Sequence, residues 1–486
     1  MKNNFLLVNP HKATINNYYE NKNIYFISYN VFSFYDNEKL KRCSINVENY
    51  KVNFNSEIDF KTILESLNKW NPIYTRWLTS QGYHHHFTRE AALFIYKLIN
   101  VLEEFNITKT IFNTGISHHI DTLLIQISCE LKNLKMFFLY CAQLEARLIL
   151  LCQNKSIFDR YPINVKVSNY DISQSLVNFI SDTENKKSLP YGIEKDYFGK
   201  SLFISLLMLY ILVNKNALRR FFKLFMINNS AVPFYERFLK MRYFNEAIIM
   251  IQQRNALIYY KDNVLDNIKF KQLLIESDSP KILIAAHFQP EATSDPEGGD
   301  YGNHIDICIK LRNLNYKDVI YYKEHPASKI YYERKTGPTR VGINRSIEYF
   351  KQLHEIGVSF LNFNYDFNYS VNSKESYLPV TITGTIAIER SLLGYHTIVM
   401  GEPWFKEMPG VIHISKINSL AKINKSWTKR NKLIAKEAFK FCQNHLGEST
   451  ISNAFGIGTG RVLGKNETEK SVEEYSNILN KLDYYD

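Results

Sequence analysis

The chain has 486 residues, 45% of them hydrophobic, which is too long for one compact core and supplies ample apolar material for two. That composition excludes a disordered chain. A formal net charge of +12 favours anionic partners such as acidic lipid or phosphorylated substrate, and with no Lys/Arg-rich run or RNA-binding signature it sets nucleic acid aside.

The chain opens with a short apolar stretch, Phe5 to Val8, and then turns polar, unlike the long apolar core of a signal peptide. Strand-like runs come next at Asn23–Tyr29, Lys109–Asn113 and Lys135–Tyr140. His118–Leu131, between the last two, carries apolar residues at helical spacing, so this region reads as a βαβ unit. A helical region is expected over about 172–262. Within it Ser201–Val213 (SLFISLLMLYILV) is apolar for 13 residues, short of the roughly 20 that span a bilayer. The basic, aromatic stretch Lys215–Ile227 comes directly after and reads either as an amphipathic surface helix or as a segment lying on an anionic membrane surface.

Strands and helices then alternate more clearly. Strand-like runs are Ile282–Ala286, Val319–Tyr322, Val358–Leu361, Val380–Ile382, Thr397–Met400 and Val411–Ile414; helical stretches are His304–Leu314, Arg345–His354 and Thr385–Leu393, the last stopped by Gly394. This alternation implies a parallel sheet with helices on both faces. Trp427–Leu446 is helical, with a stripe of Leu433, Ala438, Phe441 and Cys442. The fold class expected is α/β: a Rossmann-like N-terminal domain over 1–270, with a helical insertion at about 172–262; a Rossmann-like C-terminal domain over 271–425; and helices over 426–486 packing outside.

In an open parallel sheet, ligands bind beyond the carboxyl ends of the strands, so the residues just past each strand carry the information about a site. Ile282–Ala286 leads into His287-Phe288-Gln289-Pro290-Glu291 and later Gly298-Gly299; Val319–Tyr322 into Lys323-Glu324-His325-Pro326; Val380–Ile382 into Thr383-Gly384-Thr385; and Thr397–Met400 into Gly401-Glu402-Pro403-Trp404. Thr383-Gly384-Thr385 lies where a strand turns into a helix, so its backbone N–H groups and hydroxyls suit a phosphate. Glu389, four residues after Thr385, shares its helix face and suits a ribose diol, although a carboxylate there also favours the helix dipole. Lys323 and His325 alternate on one side of an extended strand end and suit one phosphate, Lys as a point charge and His as donor or acid. Glu291 either binds an acceptor hydroxyl or caps a helix.

His84-His85-His86 and His118-His119 resemble metal clusters, but adjacent histidines diverge on regular elements and no ordered carboxylates accompany them. With no Asp-x-Asp pair either, neither a metal nor another cofactor is expected. The six cysteines form no C-x-x-C pair, and most sit in apolar surroundings, as small core residues do.

Taken together, His287 to Glu291 with Gly298-Gly299, Lys323-Glu324-His325-Pro326, Thr381 to Thr385 with Glu389 and Gly394, and Gly401 with Trp404-Phe405 and Pro409-Gly410-Val411 resemble the bacterial capsule polysaccharide biosynthesis family. The resemblance spans about 281–415 and does not extend to the N-terminal half. It implies a GT-B-like architecture, two Rossmann-like domains facing a cleft. Relatives in that family include transferases of CMP-activated acidic sugars such as Kdo. Lys-x-His-Pro with a hydroxyl-bearing loop also occurs in bacterial sialyltransferases, where it holds CMP. Carried over, Lys323, His325, Pro326, Thr383, Gly384, Thr385, Gly401 and Trp404 line the donor site, with Glu389 on the ribose. The pair Ile388-Glu389 departs from the family, which often has a small or aromatic residue before the Glu.

The function expected is a metal-independent glycosyltransferase that moves a sugar from a nucleotide-sugar donor to a surface or capsular glycan, free or lipid-linked. His325 is its acid, and Glu291, His118 or Asp121 takes the acceptor's proton. A nucleotide-sugar epimerase, a polyol-phosphate transferase or a non-catalytic capsule-assembly protein are the alternatives. The expected location is the cytoplasm, with association to the inner face of the cell membrane.

Overall fold

The computed structural model describes residues 4–8, 24–27, 45, 47, 58–69, 84–112, 120–141, 148–156, 159–163, 173–184, 255–277, 279–287, 298–325, 345–363, 365, 376–448 and 482. They form an α/β protein built on two sheets, each of seven strands. The segment Ser201–Ile227 lies outside the described residues, as do His118, Glu291 and Pro326.

The first sheet is composed of β1 (Phe5–Val8), β2 (Ile24–Ile27), β3 (Lys109–Phe112), β4 (Lys135–Cys141), β5 (Leu148–Ser156) and β6 (Asp159–Pro162), joined by one strand from the far end of the chain. Strands β2, β1, β3 and β4 lie side by side and parallel, whereas β5 and β6 add on antiparallel. Among the described residues this half carries the helices α1 (Phe60–Lys69), α2 (His84–Glu104), α3 (Ile120–Leu131) and α4 (Ser173–Glu184). The apolar stretch at Phe5 to Val8 is therefore an inner strand, buried at all four positions. The His84–His86 run opens α2, whose Ala91, Ile95, Leu98 and Leu102 recur at helical spacing and are buried in the core. Among the described residues, no three His, Cys, Asp or Glu side chains gather to hold a metal.

The second sheet is parallel throughout. Its strands are β7 (Val264–Leu265), β8 (Lys281–Ala285), β9 (Ile320–Lys323), β10 (Val358–Leu361), β11 (Tyr377–Thr381), β12 (Thr397–Val399) and β13 (Val411–His413), in the spatial order β13-β12-β11-β8-β9-β10-β7. Helices α5 (Asn267–Glu276), α6 (His304–Asn313), α7 (Ile347–Glu355) and α8 (Ile386–Leu392) connect them. Side chains alternate across the sheet: Ile282, Ile284, Ile320 and Tyr322 enter one core, with α6 and α7, while Leu283 and Tyr321 enter another with Phe270 and Leu274 of α5. Burial on both faces explains why these strands read as short apolar runs. β7 and the buried Tyr260 belong to this half, so residues before 271 contribute to it.

Helix boundaries obey local chemistry. Asp266, Asn303, Ser346 and Asn431 each turn a side-chain oxygen onto a backbone N–H of the first turn. Gly394 ends α8 with φ +87°, where a side chain would also strike the Asn431 carbonyl. Beyond it α9 (Lys432–His445) crosses back, and β14 (Leu446–Glu448) pairs antiparallel with β5 of the first sheet. Ala438 and Cys442 of α9 share a core with α8 and the first-sheet helices. Farther on, the Lys109 ammonium, buried in β3, donates to the Leu482 carbonyl at 3.0 Å. Cys129, Cys308 and Cys442 are buried thiols whose pKa burial raises to about 12, which suits packing rather than reactivity. No helix among the described residues is long and apolar enough to cross a membrane.

Candidate donor site at the carboxyl edge of the second sheet

The strand order of the second sheet reverses at the β8–β11 boundary. From β8 the chain steps outward through β9 and β10; from β11 it steps the other way through β12 and β13. Such a boundary is a topological switch point, where the connecting loops part and leave a crevice. Because all these strands run parallel, His287, Lys323-Glu324-His325, Thr383-Gly384 and Gly401-Glu402 all leave the sheet at one edge.

A hydrogen bond closes across the switch point itself. His287, just past β8, accepts the Thr383 backbone N–H on its Nε2 at 3.0 Å and meets the Thr381 hydroxyl at 3.2 Å. Its own N–H is accepted by Nε2 of the buried His304, at the start of α6. An Nε2 that accepts carries no proton, so both imidazoles are neutral with the hydrogen on Nδ1. Burial and the nearby Arg345 charge lower His287 to about 4, and burial first, then Arg345 and His287, push His304 well below its usual range.

Gly384 is required here by space. A Cβ would meet the Thr381 hydroxyl at 2.5 Å and His287 Nε2 at 3.4 Å. Gly384→Ala should therefore turn the Thr381 hydroxyl off both the Ala285 carbonyl and His287, costing about 1–3 kcal/mol. Thermal melting checks this: an unchanged midpoint would show that the turn absorbs the methyl.

The adjacent strand brings the charges. Lys323 ends β9 and is buried. Glu324, wholly buried, receives the Arg345 guanidinium through Nε at 2.5 Å and Nη2 at 3.2 Å, the Tyr322 hydroxyl at 3.0 Å, and the His325 N–H at 2.9 Å. Arg345 Nη2 also donates to the His287 carbonyl at 3.2 Å. The Tyr260 hydroxyl accepts the Glu324 N–H at 3.2 Å and donates to the Leu361 carbonyl. Burial, His287, Lys323 and Arg345 together lower the half-buried His325 to about 3, so it too is neutral at physiological pH.

These neutral histidines fix a pH dependence. In the unfolded chain a histidine titrates near 6.5, whereas His287 and His325 do so only at about 4 and about 3 when folded. Below pH 6.5 the unfolded chain binds the extra protons, so stability is full above 6.5 and declines as pH falls toward 4. Melting curves taken from pH 7.5 to 4.5 should drop in midpoint, and the variant His287→Gln/His325→Gln should drop less. Parallel profiles for both proteins would refute the assignment.

The other residues expected at this edge divide between the site and the core. Thr385 precedes α8 and makes no cap with its side chain; its hydroxyl instead donates to Glu389 Oε1 at 3.3 Å, so the two share a face as expected. Gly401 is buried and its carbonyl contacts His413 Nε2 at 3.1 Å. Glu402 bonds Lys406 at 2.7 Å and His413 at 3.3 Å; burial opposes its charge, but these bonds outweigh it and hold the carboxyl at about 2. Trp404 is not an exposed aromatic at this edge: it is 5% exposed, in the core with α9, stacked on Phe441 and edge-on to Phe405. Asp121 lies in the first turn of α3, past β3 and so at the carboxyl edge of the first sheet. His304, Arg345 and His413 carry no sequence signal of a role here. His287 had one, its place directly after a buried strand.

Strand order and parallel pairing define an α/β chain with two Rossmann-like halves. No family model matches the sequence, and no curated protein does. Among solved structures the chain is similar to KpsC, a beta Kdo 2,7 transferase of Thermosulfurimonas dismutans, at 10% identity, covering 79% of this chain and 89% of that one with a TM-score of 0.29. It is also similar to a UDP-GlcNAc 2-epimerase from Neisseria meningitidis bound to UDP-GlcNAc, at 12% identity, 98% and 100% coverage and a TM-score of 0.19. A UDP-GlcNAc 2-epimerase from Methanocaldococcus jannaschii gives 10% identity, 91% and 99% coverage and a TM-score of 0.22.

Proposed function

We propose that the switch-point crevice binds the phosphate of a nucleotide-sugar, and that the protein is a metal-independent glycosyltransferase of surface-polysaccharide assembly. The observation that carries this is the His287–Thr383 bond across the switch point, with Lys323 and His325 one strand away. At the ends of β8 and β9 stand the cationic Lys323, the Glu324 carboxylate paired with the Arg345 guanidinium that reaches over from the start of α7, and two neutral histidines. The donor in this reading is a CMP-activated acidic sugar, whose single phosphodiester is the group the crevice holds.

In the reaction an acceptor hydroxyl attacks the anomeric carbon, the bond from that carbon to the phosphate oxygen breaks, and CMP departs with one more negative charge. Lys323 and the His325 imidazole stabilise that charge. A neutral imidazole donates a hydrogen bond; it becomes an acid only once the bound phosphate raises its proton affinity. The acceptor's proton passes to Glu291, His118 or Asp121. Glu389 holds the ribose, Thr385 and Gly384 approach the phosphate, and Gly401 and Pro326 shape the walls. A glycan or lipid-linked glycan is the acceptor, and Lys215–Ile227 docks on anionic lipid at the inner membrane face.

A thermal-shift screen of CMP, CDP, UDP and GDP tests the donor class. CMP at 100 times its Kd should stabilise the fold by about 2.7 kcal/mol, and Lys323→Met should remove most of that gain. No stabilisation by any of the four sinks the reading. Product analysis with and without a glycan acceptor then separates transfer from epimerisation.

A further inference from the structure

We propose that Arg345 is a positioning residue that ties the loops after β8 and β9 into one rigid donor cradle. The inference rests on the donor reading above and adds to it a residue whose side chain need not touch the ligand. Arg345 stands just before Ser346, the N-cap of α7, so its side chain is directed by the start of that helix rather than by the sheet. From there it reaches both strand ends at once. Its fork grips both oxygens of Glu324, and one of the same nitrogens donates to the His287 carbonyl.

Each partner passes the constraint on. Glu324 Oε1 accepts the His325 backbone N–H, which sets where that imidazole begins. The His287 ring holds the Thr383 N–H, which sets the turn at Gly384. One guanidinium thus links the strand ends of β8, β9 and β11. The Tyr349 ring under the guanidinium, 4.8 Å away, keeps it in plane.

Chemistry separates this role from catalysis and from simple stabilisation. The two oxygens of Glu324 accept from Arg345 twice, from Tyr322 and from the His325 N–H, so its four lone-pair positions are occupied and it is no candidate base. A buried ion pair is also a poor way to gain stability, since apolar residues of similar volume often do as well or better. An apolar pair, however, cannot hold a carbonyl of one loop and an N–H of the next at fixed distance. Donor sites need their groups placed within about 0.5 Å, which such a supporting layer provides.

Two variants test this. Arg345→Lys keeps the charge but presents one point donor in place of the fork. Arg345→Met/Glu324→Leu removes both charges together and keeps the volume filled. Each is compared with the parent by melting, by CMP affinity, and by the imidazole NMR signals of His287 and His325, with His354 and His413 as controls. Both variants should remain folded, with the His287 and His325 signals shifted, the control signals in place, and the CMP Kd raised at least tenfold. If either variant is folded and shows parent-like His287 and His325 signals, the tie is overturned. A parent that fails to bind CMP overturns the donor reading, while the NMR comparison still decides the tie. A parent that binds CMP alongside a folded variant of equal affinity overturns only the positioning role.

Discussion

His325→Ala is expected to lower turnover on a CMP-sugar by roughly 10²–10³-fold while leaving the fold in place, the loss that comes from removing one preorganised donor to a developing anion. The fold should survive because His325 engages Glu324 through its backbone N–H, which alanine retains. The imidazole is neutral before the donor arrives, held at about 3 by burial, His287, Lys323 and Arg345. Its first contribution is therefore a hydrogen bond, and proton transfer can occur only after the phosphate has offset the Lys323 and Arg345 charges. Glu389→Gln should differ: ribose contacts exist before and during the reaction, so donor affinity should fall with little change in turnover. Steady-state kinetics of both variants, with melting curves run first, decide the matter. Near-normal turnover by a folded His325→Ala enzyme would leave the phosphate to Lys323 and the Thr383 turn, and the assignment of His325 would be wrong.

How far the fold can be read ahead depends on where each strand finds its partners. β8, β9, β11 and β12 are flanked on both sides by parallel neighbours and covered on both faces, so their residues form unbroken apolar runs that stand out in one dimension. β5 begins apolar and ends Gln153-Asn154-Lys155-Ser156, a polar half that hides it. β14 has three residues and pairs with a strand some 300 positions earlier; locally it reads as the tail of α9. Nothing in its own sequence specifies that register. α2 was legible in principle through the spacing of Ala91, Ile95, Leu98 and Leu102, but the three histidines at its start draw the eye to metal chemistry instead.

The site divides the same way. Lys323, His325 and Thr383 are legible because a polar residue directly after a buried strand has nowhere to go but the sheet edge. Trp404 satisfies the same rule and misleads, because α9 returns over it and takes its ring into the core. Arg345 and Glu324 are 21 residues apart and meet only in the tertiary fold. Which histidine nitrogen accepts is likewise set by a neighbour's N–H, at His287 by Thr383 and at His304 by His287.

The largest effect on stability should come from Glu324→Ala. The carboxylate is 0% exposed and its Arg345 partner 2% exposed, so the substitution leaves a guanidinium in the core with its main acceptor gone. Breaking one side of a buried pair costs about 3–5 kcal/mol, far more than the pair itself adds, because the remaining charge is uncompensated. Arginine cannot escape by losing its proton. The Tyr322 hydroxyl loses its carboxylate acceptor in the same step, as does the His325 N–H, and the truncated side chain leaves a void beside Arg345 and Tyr322. Against a typical stability of about 5–15 kcal/mol, a loss of that size should lower the melting midpoint by on the order of 10 °C. Glu324→Gln is the informative companion. Its neutral amide strands the same charge but keeps the volume and one acceptor oxygen for Arg345, so it should lose less, with the difference between the two variants measuring the lost acceptor and the void. Calorimetry or far-UV melting reads both. If Glu324→Ala melted within about 2 °C of the parent, Arg345 would have found water or another acceptor, and the pair would not be the closed, buried contact on which the geometry of the loops after β8 and β9 depends.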